Sequence, residues 1–155
     1  MDSRVQLRPY TPADEDAAIE LWRRTWQHHY PHIDFAARLV WWRARWRDEL
    51  VLRADIVVAV AGADLAGFIT VERDGGYIDQ VVVAPEAWGG GLGAALIEAA
   101  RQRSPAGLHL KVNADNARAI RFYEKQGFVD VGETTNESSG APVRKMAWRP
   151  AGTLR

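Results

Sequence analysis

This sequence predicts an α/β (α+β) fold: a mixed, mostly antiparallel central sheet of about seven strands, with about four helices on its two faces. Three observations carry that expectation. Strand-like and helix-like periodicities alternate along the chain in the order βααβββαβαββ. An apolar run (Val81, Val82, Val83) leads through a glycine-rich turn into an Ala/Leu/Ile helix. The length of 155 residues, 47% of them hydrophobic, suits one core and one domain over 1–155, and no repeat, linker or low-complexity tract divides it.

Residues 5–8 alternate as a short first strand. Thr11-Pro12-Ala13-Asp14 reads as a helix start, with a hydroxyl at the N-cap, proline at the first helical position and an acid at the third. Glu15 and Asp16 suit the positive end of that helix. Ala18, Leu21, Trp22, Thr25 and Trp26 make one stripe to about His29, and Pro31 stops it. A second helix runs from about Asp34, with Leu39, Trp42, Trp46 and Leu50 on one face. Residues 55–60, 65–72 and 77–83 read as strands, with turns at Ala61-Gly62 and Asp74-Gly75-Gly76; Asp-Gly is a strong hairpin signal. The helix after the glycines extends to about Arg103, where Ser104-Pro105 ends it. A buried strand follows at 108–112, then a helix at 116–126 with Gly127 beyond its end and Phe128 next, as in a Schellman stop. Residues 128–134 and 143–148 form a last hairpin around the polar loop 136–142.

The glycines at 89, 90, 91 and 93 mark the chemistry. Glycine lets a main chain approach a ligand and take φ > 0. The free N–H groups of the next helical turn, with the helix dipole, favour an anion there. The implied ligand carries phosphate. A P-loop would need Lys and a hydroxyl after its last glycine, and Ala94 and Ala95 stand there instead. A dinucleotide fingerprint can be laid over Gly89, Gly91 and Ala94, but its glycines should follow the strand directly, and residues 84–88 intervene.

A third template fits better. Val83-Ala84-Pro85 and Trp88-Gly89-Gly90-Gly91-Leu92-Gly93 resemble the acyl-CoA-binding motif of the GNAT superfamily of N-acyltransferases, a strand ending V-x-P followed by R/Q-x-x-G-x-G/A and a helix. Trp88 stands where that family most often has Arg or Gln, so a side-chain charge is lost while the backbone cradle remains. NADNARAIRFYEKQGF, residues 113–128, resembles the family's later motif N-x-x-A-x-x-F/L-Y-x-x-x-G-F, with Asn116, Ala119, Phe122, Tyr123, Gly127 and Phe128 in register. The resemblance spans residues 55–149 and implies a GNAT-like fold. It implies a cytoplasmic N-acetyltransferase that moves an acetyl group from acetyl-CoA directly to a primary amine of a small molecule. Alternatives are acetylation of protein N-termini or lysines, and an acyl-CoA-binding module without turnover.

The same resemblance assigns residues. The strands at 77–83 and 108–112 would splay at a bulge, and the backbone of Val81 and Val83 would pair with the pantetheine arm. The Val81 N–H would donate to the thioester oxygen, a contact worth roughly 10²–10³ in rate. The cofactor set is Val81, Val82, Val83, Trp88, Gly89, Gly90, Gly91, Leu92, Gly93, Ala94, Asn116, Ala119, Phe122 and Tyr123. Tyr123 would protonate the departing thiolate, phenol and thiol having ordinary pKa values of about 10 and about 8.5. If the strand is regular, Tyr77, Asp79, Val81 and Val83 point one way. Asp79 would then take the amine proton through water or bind an ammonium; its blander reading is a surface carboxylate in a hairpin, and Glu72 is a weaker candidate base. Asn116 reads both as a ligand contact and as a plain N-cap, and Asn113 is weaker.

Five of the seven Trp and three of the four His lie between residues 22 and 46. In the family this region forms much of the acceptor pocket, so Trp26, Tyr30, Tyr77 and Asp79 are taken as substrate-binding. The bland alternative is helix-packing core. Arg43, Arg45 and Arg47 read as a solvated helix face. His28 and His32 lack a third ligand, so no metal is expected. Twenty basic and twenty acidic side chains cancel, which gives no pull toward nucleic acid or an anionic membrane. No 18-residue apolar run occurs, and the opening MDSRVQLRPY reads as a strand rather than a leader. The absence of cysteine excludes disulfides and a thiol acyl-enzyme, favours direct transfer, and fits the cytoplasm. A monomer or homodimer acting on a small-molecule amine is the expectation.

Overall fold

A computed structural model describes residues 5–151; the ends of the expected domain, 1–4 and 152–155, lie outside the described residues. Seven strands form one sheet: β1 Val5–Pro9, β2 Ala54–Ala61, β3 Asp64–Glu72, β4 Tyr77–Val83, β5 Leu108–Asn113, β6 Val129–Thr135 and β7 Pro142–Trp148. Their order is β1-β2-β3-β4-β5-β7-β6, and every pairing is antiparallel except β4 with β5. Four helices cover the faces: α1 Glu15–His29, α2 Leu39–Arg45, α3 Leu92–Arg103 and α4 Ala117–Lys125. No helix of the described residues is long and apolar enough to cross a membrane.

The alternation of β-branched residues along β2 and β3 feeds two separate cores. On one face Val57, Ile69, Leu96, Ile97, Leu110 and Met146 pack together beneath α3. On the other, Val58, Phe68 and Val82 meet the Trp22, Trp42 and Trp46 rings of α1 and the second helical segment.

Two helix boundaries differ from expectation. Pro12–Asp14 form a 3₁₀ turn, and α1 starts at Glu15. The buried Asp14 carboxylate accepts from the Thr11 N–H at 2.9 Å and from both guanidinium nitrogens of Arg8 at 2.8 Å, which holds it below the ordinary carboxylate pKa. The second segment begins with a 3₁₀ turn at Ala36–Arg38, continues as α2, and widens into a π turn at Trp46–Leu50 before Val51–Arg53. Trp42, Trp46 and Leu50 recur every four residues and are all at most 2% exposed. On a 3.6-residue helix this spacing drifts by about 40° per step and stays within one apolar stripe, and the wider turn brings Trp46 and Leu50 closer to a single line.

The sheet opens at β4. Parallel pairing with β5 is limited to Tyr77 opposite His109 and Ile78 opposite Leu110. Against β3, Gln80 faces Thr70 while Ile78 faces Val71, so Asp79 is the extra residue of a bulge. The bulge overturns the expected regular alternation. Ile78, Val81 and Val83 all pack toward the α3 core, and Val82 packs toward the tryptophan core. Asp79 turns toward α2, where it meets Arg45. Asp79 therefore does not share the face of Val81 and Val83.

Candidate functional site

Past Ile78 the β5-facing edge of β4 has no strand partner. Ala84 donates its N–H to Ala66 at 2.8 Å, and Gln80 donates to the Thr70 hydroxyl at 3.0 Å, both toward β3. The two-residue backbone period then directs the N–H and C=O of Val81 and Val83 to the opened edge. One of these four groups is taken: the Trp88 indole Nε1 donates to the Val83 carbonyl at 2.9 Å. An extended ligand laid along β4 has the Val81 N–H, the Val81 C=O and the Val83 N–H to pair with.

The glycine turn lies at the end of that edge. Gly89 and Gly91 have φ of 82° and 83°, a region costly for other residues, and Gly91 caps α3 in this conformation. It carries no side chain over the first-turn N–H groups of Leu92, Gly93 and Ala94. Gly93 is required for a second reason. A Cβ there would stand 3.0 Å from Cζ of Phe122, so α4 packs its ring directly on the start of α3. The bare backbone, its positive φ and the helix start suit a pyrophosphate.

Trp88 does more than vacate a charge. The His29 ring stacks on its indole at 5.2 Å and 26°, and His28 meets it edge-on at 5.2 Å. The Arg118 guanidinium lies over the same ring, 4.7 Å from its centroid. Burial in this stack, then the charges of His28 and Arg118, lower the His29 pKa. Three cationic or titratable side chains thus gather at the lip of the cradle. Sequence reasoning missed all three. The signal was Trp88 itself, since an aromatic at a charged position offers its face to a neighbouring cation.

Asn116 caps α4 by accepting the Ala119 N–H at 3.1 Å. Its carbonyl oxygen is thereby engaged. Asn113, at the end of β5, donates to the Tyr30 hydroxyl at 3.1 Å, which ties the end of α1 to the strand beyond the opening. Tyr123 packs edge-on between Phe122 and Phe128, at 5.3 and 5.7 Å. Burial alone pushes its phenol up to about 12, and its hydroxyl makes no hydrogen bond among the described residues. It stays protonated at neutral pH, as a proton donor must, and is a weaker acid than a free phenol.

On the opposite side, both Asp79 oxygens are engaged. Arg45 Nη1 donates to Oδ1 at 3.0 Å, its Nη2 donates to Oδ2, and Gln80 donates to Oδ1 at 3.0 Å. The Asp79 side chain is 10% exposed and that of Arg45 24%. Arg45 also lies over Trp42, 5.4 Å from its ring. The expected solvated arginine face is corrected: Arg45 is an inward-facing partner, and Arg43 and Arg47 both clamp Glu15. Tyr77 lies 5.1 Å from the ring of His109, and burial, followed by the Asp79 charge, raises its phenol. Glu72, at the end of β3 beside the turn into β4, makes no hydrogen bond to Asp79 or Arg45, and its charge adds a smaller contribution to the raised Tyr77 phenol.

The aromatic segment is mostly packing. Trp22 stacks on Trp42 at 4.5 Å and meets Phe35 edge-on. Trp26 stacks on Tyr30 at 5.8 Å, and Gln27 pins the loop after α1 through the carbonyls of Tyr30, Pro31 and Ile33. Trp26 and Tyr30 reach the site through the Tyr30–Asn113 bond, whereas Trp22, Trp42 and Trp46 are buried in the core.

Residues 40–150 match the sequence model of the acetyltransferase (GNAT) domain. The chain is 31% identical to the peptidyl-lysine N-acetyltransferase YiaC of Escherichia coli (strain K12), over 96% of this chain and 99% of that protein. It is 33% identical to a mycothiol acetyltransferase of Actinosynnema mirum over 80% of this chain, which spans 44% of that longer protein. In fold it is similar to the PaiA N-acetyltransferase from Thermoplasma acidophilum, solved in complex with coenzyme A, with a TM-score of 0.72, 19% identity, and coverage of 94% and 99% of the two chains.

Proposed function

The chain belongs to the GNAT acetyltransferase family, and we propose that it moves an acetyl group from acetyl-CoA directly to the side-chain amine of lysines in proteins. The observation that carries the donor half is the open β4 edge running into the glycine cradle. Acetyl-CoA supplies the acetyl group as a thioester with a phosphate-bearing handle. Gly89, Gly90, Gly91 and the first turn of α3 would hold the pyrophosphate, with Arg118, and His29 once it takes up a proton, supplying the charge that Trp88 lacks. The Val81 N–H would bond the thioester oxygen and strengthen as negative charge grows on it. As the amine nitrogen bonds the carbonyl carbon and the C–S bond breaks, Tyr123 gives its proton to sulfur. The amine's surplus proton leaves on the Asp79 side. Since Arg45 and Gln80 already occupy that carboxylate, the proton passes through a bridging water.

The splay separates the two roles across the sheet. Tyr123 lies in the layer of α3, and Asp79, Arg45 and Tyr77 lie in the layer of α2. For the acceptor, Trp22, Trp42 and Trp46 are packed on one another instead of lining an enclosed amine pocket, which favours an open approach by a polypeptide lysine. The peptidyl-lysine acetyltransferase relative supports the same class. A small-molecule amine is the second reading, favoured by the mycothiol acetyltransferase relative and by the Trp26–Tyr30 stack at the mouth. The test is an acceptor panel with acetyl-CoA, read by thiol release: lysine-containing peptides and folded proteins against amino sugars and polyamines. Faster transfer to peptides supports the proposal. Faster transfer to a small amine replaces it with the second reading, and binding without any transfer reduces the chain to an acyl-CoA-binding module.

A further inference from the structure

A cleft with cationic walls lies at the other end of α3. A cleft of about 430 Å³ opens between the end of α3, the start of β5, the end of β7 and the β3–β4 turn. Its lining includes Arg73, Arg103, His109 and Arg149 and no aspartate or glutamate. In a chain of zero formal net charge this is a marked concentration of one sign.

Arg73 is fixed as one wall by the carbonyls of Ala54, at 3.0 Å, and Leu52, with Asp55 at 3.3 Å. Arg103 and Arg149 make no ion pair with a carboxylate of the described residues. A Cβ at Gly75 would meet only Nε2 of His109, at 4.0 Å; at Gly107 it would meet the Trp148 carbonyl oxygen at 3.2 Å and Nη1 of Arg149 at 3.6 Å. Gly75, at φ 94°, thus leaves open space beside the His109 ring.

We propose that this cleft binds a small polyvalent anion, a phosphoester or a polycarboxylate, held by Arg103, Arg149 and His109. Guanidinium groups pair bidentately with either oxyanion, and convergent positive charge in a concave site raises its local concentration. The cleft lies about 18 Å from the cradle, the length of the twelve-residue α3, so one ligand does not fill both. It adjoins the hinge of the splay. His109 faces Tyr77 in the short β4–β5 pairing, and Tyr77 is two residues before Asp79. The site stands independently of which amine the chain acetylates.

Calorimetric titration with inorganic pyrophosphate and with citrate, of the chain presaturated with coenzyme A so that the cradle is occupied and at ionic strength matched with sodium chloride, tests it. The wild type, Arg103→Gln/Arg149→Gln and Arg118→Gln are compared, all substitutions being of exposed side chains. The proposal expects a saturable site that weakens at least tenfold in the double variant and persists in Arg118→Gln. Tighter pyrophosphate assigns a phosphoester, and tighter citrate a polycarboxylate. No saturable binding of either probe overturns the proposal. So does binding that survives the double substitution, or that is lost only with Arg118, which would place the anion in the cradle.

Discussion

Replacing Tyr123 by phenylalanine removes one oxygen and little else. The hydroxyl makes no hydrogen bond within the described chain, and the edge-on contacts with Phe122 and Phe128 remain available to a phenylalanine ring. Stability should change by no more than about 0.5 kcal/mol. The effect on rate follows from the phenol pKa of about 12. A thiol leaving group has a pKa of about 8.5, so completing the transfer to free thiolate is uphill by some 3.5 units, about 5 kcal/mol. In the acid role the phenol would therefore give its proton in concert with C–S cleavage rather than to a finished thiolate. That places its contribution at the low end of general acid catalysis, about 10²-fold, or ~2.7 kcal/mol. The assay is single-turnover thiol release under saturating acceptor, with acetyl-CoA affinity measured separately by calorimetry. The expected result is kcat lower by about 10²-fold with affinity changed less than about threefold. A single-turnover rate within twofold of wild type would remove Tyr123 from the acid role, and a loss seen only in affinity would make it a binding residue.

Arg118→Gln should weaken acetyl-CoA about three- to tenfold, because it withdraws one charge-assisted phosphate contact; unchanged affinity in calorimetry would leave Arg118 merely stacked on Trp88. His29, whose pKa is held down by burial, His28 and Arg118, should gain a proton when phosphate arrives. Its folded, unliganded form is neutral near pH 7, so affinity should rise as pH falls toward 6, with net proton uptake in buffers of differing ionisation enthalpy; zero uptake at pH 6.5 would contradict the placement. Gly91→Val imposes left-handed strain of about 1–2 kcal/mol, lowering Tm by about 2–8 °C, and should cut acetyl-CoA affinity more than tenfold; a folded variant with normal affinity would move the cradle elsewhere. Arg45→Met leaves the Asp79 carboxylate largely buried without its cation and should cost about 2–3 kcal/mol in denaturant unfolding. Asp79→Asn separates roles: kcat about 10²-fold lower at little changed stability supports proton removal beside Asp79, and an unchanged kcat makes the ion pair structural.

The elements of the sheet were legible because their signals are local. The β-branched runs, the Asp-Gly turn and the glycines before α3 placed β2 through β5 to within two residues of their observed bounds. The motif around Asn116 and Tyr123 located α4 in the same way. What the sequence did not disclose depends on register and on distant partners. The resemblance implied a bulge in the strand at 77–83, but YIDQVVV does not mark Asp79 as its extra residue, and that position transfers Asp79 to the opposite face from Val81. Arg45 looked solvated because its partner lies 34 residues away, and the Trp88 stack joins residues 28, 29 and 118 from two different helices. The π turn at Trp46–Leu50 was not legible, because the four-residue spacing of Trp42, Trp46 and Leu50 suits an ordinary α-helix equally well.

The central claim is that acetyl-CoA lies along the open edge of β4 with its phosphates in the glycine cradle. The direct measurement is an amide chemical-shift titration of the isotopically labelled chain with acetyl-CoA, with NADH as the comparison. The account predicts saturable shifts centred on Val81, Val83 and residues 89–94, and none of comparable size with NADH. Shifts absent from these amides, or equal responses to both ligands, would contradict it.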